Sequence, residues 1–245
     1  MPDPLATAIT NFAEHCQAIP TSLGFPGAET QALVSNQHTL DIPYPNAITI
    51  GDADQTEIQL TQIQHFVVAR PANTPTFVVD SHNNLDLKPL GFDVMFSTPW
   101  FYREPAPLPP IQKFEPRVES VQTPAQLAEF DRAAAIGFGQ PDAHLVYSTP
   151  LLSDHRYQFH FVQHAGEIVA GIQTFTNKIS VGIYTLFTHS SHQRKGIATA
   201  LVRKALSTSP NLPAITNPSD QSDHLFQTAG FTQIGSRTIW IHRPN

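Results

Sequence analysis

Three observations predict a mixed α/β fold in two parts for this 245-residue chain. The stretch Arg103 to Arg117 holds Pro105, Pro107, Pro109, Pro110 and Pro116; this density of rings favours an extended connector. Strand-like and helix-like periods alternate on its C-terminal side, as a mixed sheet flanked by helices requires. The two halves also close on similar runs. Gly91-Phe-Asp-Val-Met-Phe-Ser-Thr-Pro-Trp-Phe-Tyr-Arg-Glu-Pro105 parallels Gly230-Phe-Thr-Gln-Ile-Gly-Ser-Arg-Thr-Ile-Trp-Ile-His-Arg-Pro244. The expected organisation is a smaller N-terminal α/β domain over 1–105, a linker over 106–115 and a second domain over 116–245.

In the N-terminal part, Ala47 to Ile50 reads as a strand. Asp54 to Arg70 has helical spacing at Ile58, Ile63, Phe66 and Val67, and Pro75 to Asp80 is a short proline-introduced strand. Past the linker, Val118 to Val121 reads as a strand. Pro124 to Ile136 is an amphipathic helix with Thr123 at the N-cap position and proline at the first helical position. Tyr157 to Gln163 and Ile168 to Thr176 are strands joined by the turn His164-Ala-Gly-Glu167. An apolar run, Val181 to Phe187, then leads into a helix with Ile197 and Leu201 on one face and Val202 and Leu206 beside them. Strand Ala214 to Thr216, helix Ser219 to Thr228 and strand Phe231 to Ile241 complete the order.

Composition excludes several classes. With 40% hydrophobic and 14% charged residues the chain is globular, without a disordered charged tail. Residues 1–115 carry 4 Lys/Arg against 12 Asp/Glu, net −8; residues 116–245 carry 10 against 8, net +2. Neither half offers the basic face that a nucleic acid wants. The less acidic half is the one suited to a polyanionic ligand. One cysteine, Cys16, permits neither an internal disulfide nor a cysteine-rich zinc site. No segment is long and apolar enough to span a bilayer, and the Met-Pro-Asp-Pro start lacks a basic signal-peptide region, so a cytoplasmic location is expected. No metal is expected either. His160 and His164 fall across a strand and its turn, and His189 and His192 lie in a loop.

That loop carries the most specific chemistry. In His189-Ser-Ser-His-Gln-Arg-Lys-Gly-Ile-Ala-Thr199 a strand feeds a helix start, where free N–H groups and the positive dipole end favour phosphate. It has neither the Lys-Ser/Thr of a P-loop nor the Gly-x-Gly-x-x-Gly of a dinucleotide fingerprint. Gln193, Gly196 and Ala198 resemble the acetyl-CoA signature (Arg/Gln)-x-x-Gly-x-(Gly/Ala) of the GNAT (Gcn5-related N-acetyltransferase) superfamily. Three positions alone also fit an ordinary helix start with a basic first turn. The second pattern, Leu225-Phe226 followed by Gly230-Phe231, resembles the same family's Leu-Tyr-x-x-x-Gly-Phe. The resemblance covers 116–245 and implies a GNAT fold there. The similar run ending at Pro105 reads as an internal repeat, so that 1–105 is a degenerate GNAT-like domain; coincidence between two β-ended domains is the alternative. At the matching loop, Gly51-Asp-Ala-Asp54, the acidic residues would repel a pyrophosphate.

The resemblance implies acetyl transfer from acetyl-CoA to an amine of a small molecule or peptide, by direct attack on the thioester. It places the backbone of Leu186, Phe187 and Thr188 against the pantetheine arm. The N–H groups of Arg194, Lys195, Gly196, Ile197, Ala198 and Thr199 would hold the pyrophosphate beside Gln193. Asn217 is placed to bond the pantetheine, and Phe226, counted with the cofactor contacts, fills the family's general-acid tyrosine position without a proton to donate. Strand alternation puts Tyr184 on one face with Leu186 and Thr188, at a position that often bears the family's acid/base residue; it is the catalytic candidate. His224 and His160 are further candidates, the direction of His160 being left undecided. A GNAT-fold protein that binds acyl-CoA as a sensor or assembly module, without turnover, is the alternative.

Overall fold

The computed structural model describes residues 3–40, 42–71, 73–108, 116–141 and 146–243. Linker residues 109–115 thus lie outside the described residues. The chain divides into two compact units, one of 1–100 with 234–245 and one of 101–233. The boundary therefore falls earlier than the proline-rich linker, and the C-terminal strand is shared between the units.

The first unit opens with helix α1 (Pro4–Ser22), capped by Asp3, whose carboxylate accepts the Leu5 and Ala6 N–H groups. Its buried stripe of Ile9, Phe12, Ala13, Cys16 and Ile19 holds it to the unit. Strands β1 (Gly27–Glu29), β2 (Leu33–Asn36) and β3 (Ala47–Thr49) follow, each antiparallel to the next. Helix α2 (Thr56–Val68) returns the chain so that β4 (Thr76–Asp80) pairs parallel with β3. A 3₁₀ turn, Lys88–Leu90, then ends at Gly91 with φ 82, and β5 runs Phe92–Arg103. The core packs Leu33, Val78, Ile63, Phe66, Leu87 and Phe92 with Trp240 from the far end of the chain.

The second unit has β6 (Glu119–Ser120) and α3 (Pro124–Gly137), which starts in a full capping box of Thr123 and Gln126. After a 3₁₀ turn at Thr149–Leu152 come β7 (Tyr157–His164), β8 (Glu167–Thr176) and β9 (Val181–Thr188), an antiparallel meander. Ala165 and Gly166 both have positive φ, 52 and 86, the geometry of a tight hairpin turn. Helix α4 (Ile197–Thr208) crosses over so that β10 (Ala214–Thr216) lies parallel to β9. Helix α5 spans Asp223–Thr228, shorter than the predicted Ser219–Thr228 because Ser219 to Ser222 form a turn, Ser222 N–H donating to Ser219 O at 2.8 Å. Strand β11 (Thr232–His242) ends the chain.

The shared closing pattern has a structural counterpart. Gly91 and Gly230 are both left-handed, φ 82 and 90. In each, the glycine N–H bonds three residues back and the following phenylalanine N–H five back, Phe92 to Leu87 and Phe231 to Phe226. Each glycine is then covered by a side chain from a closing strand, His242 over Gly91 and Arg103 over Gly230. Arg103 and His242 therefore correspond, and the tryptophans are one step out of phase: Trp100 lies nine residues beyond its glycine and Trp240 ten beyond its own.

The division into units follows from these closing strands. Arg103 is buried and donates from Nε to Ala229 O at 2.8 Å and from Nη2 to Pro107 O at 2.7 Å, while Phe101 to Arg103 pair antiparallel with β10. Thr238 to His242 pair with β4 and carry Trp240 into the first core.

Candidate active site

Strands β9 and β10 pair only from Val181 to Ile183. Beyond that point β9 continues to Thr188, whereas β10 ends at Thr216, so the β10-side edge of β9 is left unpaired by β10 from Tyr184 onward. On its other edge β9 stays in register with β8, except for an extra residue between the pairs Gln173↔Tyr184 and Gly171↔Phe187. The bulge is marked by Thr185, which has φ 49, an uncommon conformation for a β-branched residue.

The bulge revises two expectations. His189 N–H donates to Val169 O at 2.8 Å, which by two-residue alternation turns the Phe187 backbone toward Gly171 of β8. Phe187 is therefore not a backbone ligand in the opening; the Leu186 and Thr188 backbones face it. Its ring packs instead on α3, 5.5 Å from the Phe130 centroid. The extra residue also breaks the alternation that put Tyr184 with Leu186. Tyr184 is paired through Gln173 to Phe159, whose ring lies 5.4 Å from Phe130, so it belongs to the α3 face. Leu186 packs on the opposite core with Ile183 and α4.

The loop after β9 has the geometry of an anion cradle. Arg194 has φ 61 and Gly196 φ 78, and no side chain caps α4. The first intrahelical bond of α4 runs from Ala200 N–H to Gly196 O, which leaves Ile197, Ala198 and Thr199 N–H groups at the free end. The Ile197 side chain is buried in the core, so only its backbone is offered. Arg194 and Lys195 are exposed, with Lys195 Nζ donating to Ser191 O at 2.9 Å. Gln193 folds back, its Nε2 donating to Thr188 O at 3.1 Å, and so tethers the loop to the end of β9.

Two polar atoms border the opening without a partner among the described residues: Thr188 Oγ1 and, just past β10, Asn217 Oδ1. Such buried acceptors call for a ligand or water. Phe226 does not border it. It is 1% exposed, in edge contact with Phe231 at 5.3 Å, and is a core residue instead of a cofactor contact.

A hydroxyl that the sequence reading missed reaches the bulge. Tyr147 OH and Thr185 Oγ1 are 2.5 Å apart. The Tyr147 ring lies against Phe159 at 4.9 Å, and the segment is held by Asp131, whose Oδ2 accepts the Val146 and Tyr147 N–H groups at 2.6 and 3.1 Å. Burial raises the Asp131 pKa above the ordinary carboxylate range, and the two N–H donors oppose that rise. Only the aromatic character of Tyr147 was readable from sequence, since Asp131 and Tyr147 are joined by tertiary contact.

The histidines scatter. His160 is buried on the α4 side, where Val162 of the same strand joins the core. It shares a 2.9 Å hydrogen bond with Ser120, and its pKa is lowered to about 4 by burial and then by Lys204. His192 faces His164, ring centroids 5.0 Å apart. Among the described residues no three metal-ligating side chains gather. Nor is any described helix long and apolar enough to cross a membrane.

The splayed strands, bulge and uncapped helix start lie within residues 143–240, which match the family model of the acetyltransferase (GNAT) domain. The chain carries a GNAT domain. Its fold is similar to a GCN5-related N-acetyltransferase from Kribbella flavida, with 16% identity, TM-score 0.63 and 95% of each chain covered. It is similar also to a GCN5-related N-acetyltransferase from Sphaerobacter thermophilus, with 13% identity and TM-score 0.58, over all of this chain and 94% of the other. These likenesses are of fold, and they extend through the N-terminal part as well as the GNAT domain. No curated protein matches the sequence.

Proposed function

We propose that the GNAT domain transfers an acetyl group from acetyl-CoA to an amine of a small molecule or peptide. The observation that carries this reading is the uncapped start of α4, with Arg194 and Gly196 left-handed, beside the unpaired edge of β9. The pyrophosphate takes the free N–H groups at the helix start, where the dipole favours negative charge. The pantetheine amides pair with the Leu186 and Thr188 backbone and with Asn217. The thioester then lies near the Thr185 bulge.

Attack of the neutral amine on the thioester carbonyl gives a tetrahedral oxyanion, which strand N–H groups at the opening stabilise. The C–S bond breaks, the nitrogen loses a proton and the thiolate gains one. Phe226 supplies no proton. Tyr147, reaching Thr185, is assigned the proton donor to the thiolate, and Tyr184 on the α3 face is assigned the acceptor side. Buried Phe226 also supports the second reading, an acyl-CoA sensor without turnover.

Acetyl-CoA is expected to raise the Tm under both readings, and an unchanged Tm refutes both. Thiol release with a panel of amines separates them, since a sensor releases none. Tyr147→Phe is expected to lower kcat about 10- to 100-fold with little change in the acetyl-CoA-induced Tm shift. An unchanged kcat removes Tyr147 from the reaction.

A further inference from the structure

Gln173 sits in the middle of β8, 0% exposed, with Phe159 of β7 and Tyr184 of β9 as its cross-strand partners. Neither Oε1 nor Nε2 has a hydrogen-bond partner among the described residues. Among the described residues it is the one buried carboxamide with both its oxygen and its nitrogen unsatisfied. Leaving such groups unpaired is expensive, and an apolar side chain of the same shape would suit the position better for stability alone. The residue lies on the α3 face, beside Tyr184 and close along β9 to the Thr185 bulge that Tyr147 reaches. Phe159, Tyr147 and Tyr157 wall this face, with Tyr157 stacked on Phe159 at 6.1 Å.

Resting on the acyl-transfer reading above, we propose that Gln173 recognises the acceptor, and that the acceptor is an amine bearing a neutral amide. The chemistry of the side chain selects that class. A carboxamide offers one acceptor and two donor hydrogens in a plane, and a second amide complements both sides at once. An ammonium would satisfy Oε1 and leave Nε2 bare; a carboxylate or ester would do the reverse. An α-amino amide or the amino terminus of a peptide carries the amide close to the nucleophilic nitrogen. Gln173 then holds the amide while the amine faces the bulge and the open edge of β9. Tyr147, carried outside the sheet and packed on Phe159, is the wall that an entering acceptor shifts, its hydroxyl staying beside Thr185.

The test compares alaninamide, alanine methyl ester and isopropylamine as acceptors with acetyl-CoA. Wild type is expected to favour alaninamide over the ester by about tenfold or more in kcat/KM; an ester or isopropylamine used equally well overturns the proposal. Gln173→Met is expected to bring the amide-to-ester ratio near unity and to raise the Tm by about 2–4 °C. A lowered Tm, or a ratio that persists, shows that the amide serves the fold and overturns the assignment. Alaninamide binding without acetyl-CoA, followed through the Gln173 side-chain NH₂ resonances, separates the two readings. Should those resonances move with alaninamide and not with the ester while no thiol is ever released, acyl transfer fails and the amide subsite stands. Rapid thiol release without amide preference leaves transfer and removes the subsite.

Discussion

After β3 the chain enters α2 through Gly51-Asp52-Ala53-Asp54; after β9 it enters α4 through Gln193-Arg194-Lys195-Gly196. Both turns follow a strand that pairs parallel with the next, β3 with β4 and β9 with β10. In the first turn the backbone carbonyls are taken up by side chains, although α2 also starts without a side-chain cap and Gln55 Oε1 and Gln59 Oε1 have no partner among the described residues. Ser81 Oγ donates to Thr49 O at 2.7 Å and Ser81 N–H to Thr49 Oγ1 at 2.9 Å. Gln59 Nε2 donates to Asp52 O, Asn84 Nδ2 to Ala53 O, and His82 bonds Gly51 O. A Cβ on Gly51 would meet the Gln55 side chain at 2.5 Å. In the second turn the helix start is uncapped, and Thr188 Oγ1 and Asn217 Oδ1 stay unpartnered. One β-α-β plan thus gives a closed structural turn with two aspartates and an open basic one, and side chains set the difference.

Buried histidines give the largest predicted effect. His15 in the first unit has its pKa lowered to about 3, by burial and then Arg237; His38 is lowered to about 4, mainly by burial, and His160 of the second unit likewise to about 4. All three folded values lie below the ordinary 6.5, so as pH falls the unfolded chain takes up protons first. Their contribution is complete above about pH 6.5 and declines below it, levelling off near pH 4 for His38 and His160 and near pH 3 for His15. Each is worth about 3–5 kcal/mol over that window. With two such groups against one, the first unit is expected to lose hydrogen-exchange protection at higher pH than the second. Simultaneous loss in α1 and β8 would contradict this.

The open turn breaks next. Gly196→Val forces a β-branched residue into φ 78, costing about 1–3 kcal/mol locally and misdirecting the N–H groups of the cradle. It is expected to abolish the Tm shift with acetyl-CoA, and a wild-type shift would place the phosphates elsewhere. In the closed turn, Ser81→Ala removes the buried bond to Thr49 O and is expected to cost about 1–2 kcal/mol while leaving the acetyl-CoA response intact.

Much of this contrast was legible in the sequence because it is local. Gly196 after Gln193, the acidic Gly51 turn and the glycines at 91 and 230 announce backbone needs in their own residue types. Helix α1 is equally local in its signals, with Asp3-Pro4 as cap and first turn and Ile9, Cys16 and Ile19 at helical spacing. The bulge at Thr185 was not legible, because a β-branched residue in a left-handed conformation is imposed by the neighbouring strand. That one extra residue misplaced Tyr184 and Phe187. Phe226 was read from a motif position whose side chain, lacking a hydroxyl, simply turned into the core. Tyr147 and Gln173 gain their interest from partners, or a lack of partners, far away in sequence.

Asn217 supplies the smallest effect and the finest distinction between the turns. Ser81 is fully paired, so its loss registers in stability. Asn217 Oδ1 bonds nothing among the described residues, so Asn217→Ala removes no internal hydrogen bond and is expected to change stability by less than about 0.5 kcal/mol. If the atom awaits a pantetheine amide, acetyl-CoA affinity instead falls about fivefold, near the worth of one neutral hydrogen bond. Calorimetric titration of the variant, beside its melting curve, reads both quantities. A destabilised variant with unchanged affinity would make Asn217 a counterpart of Ser81, and the second turn would then be closed by its own side chains as the first one is.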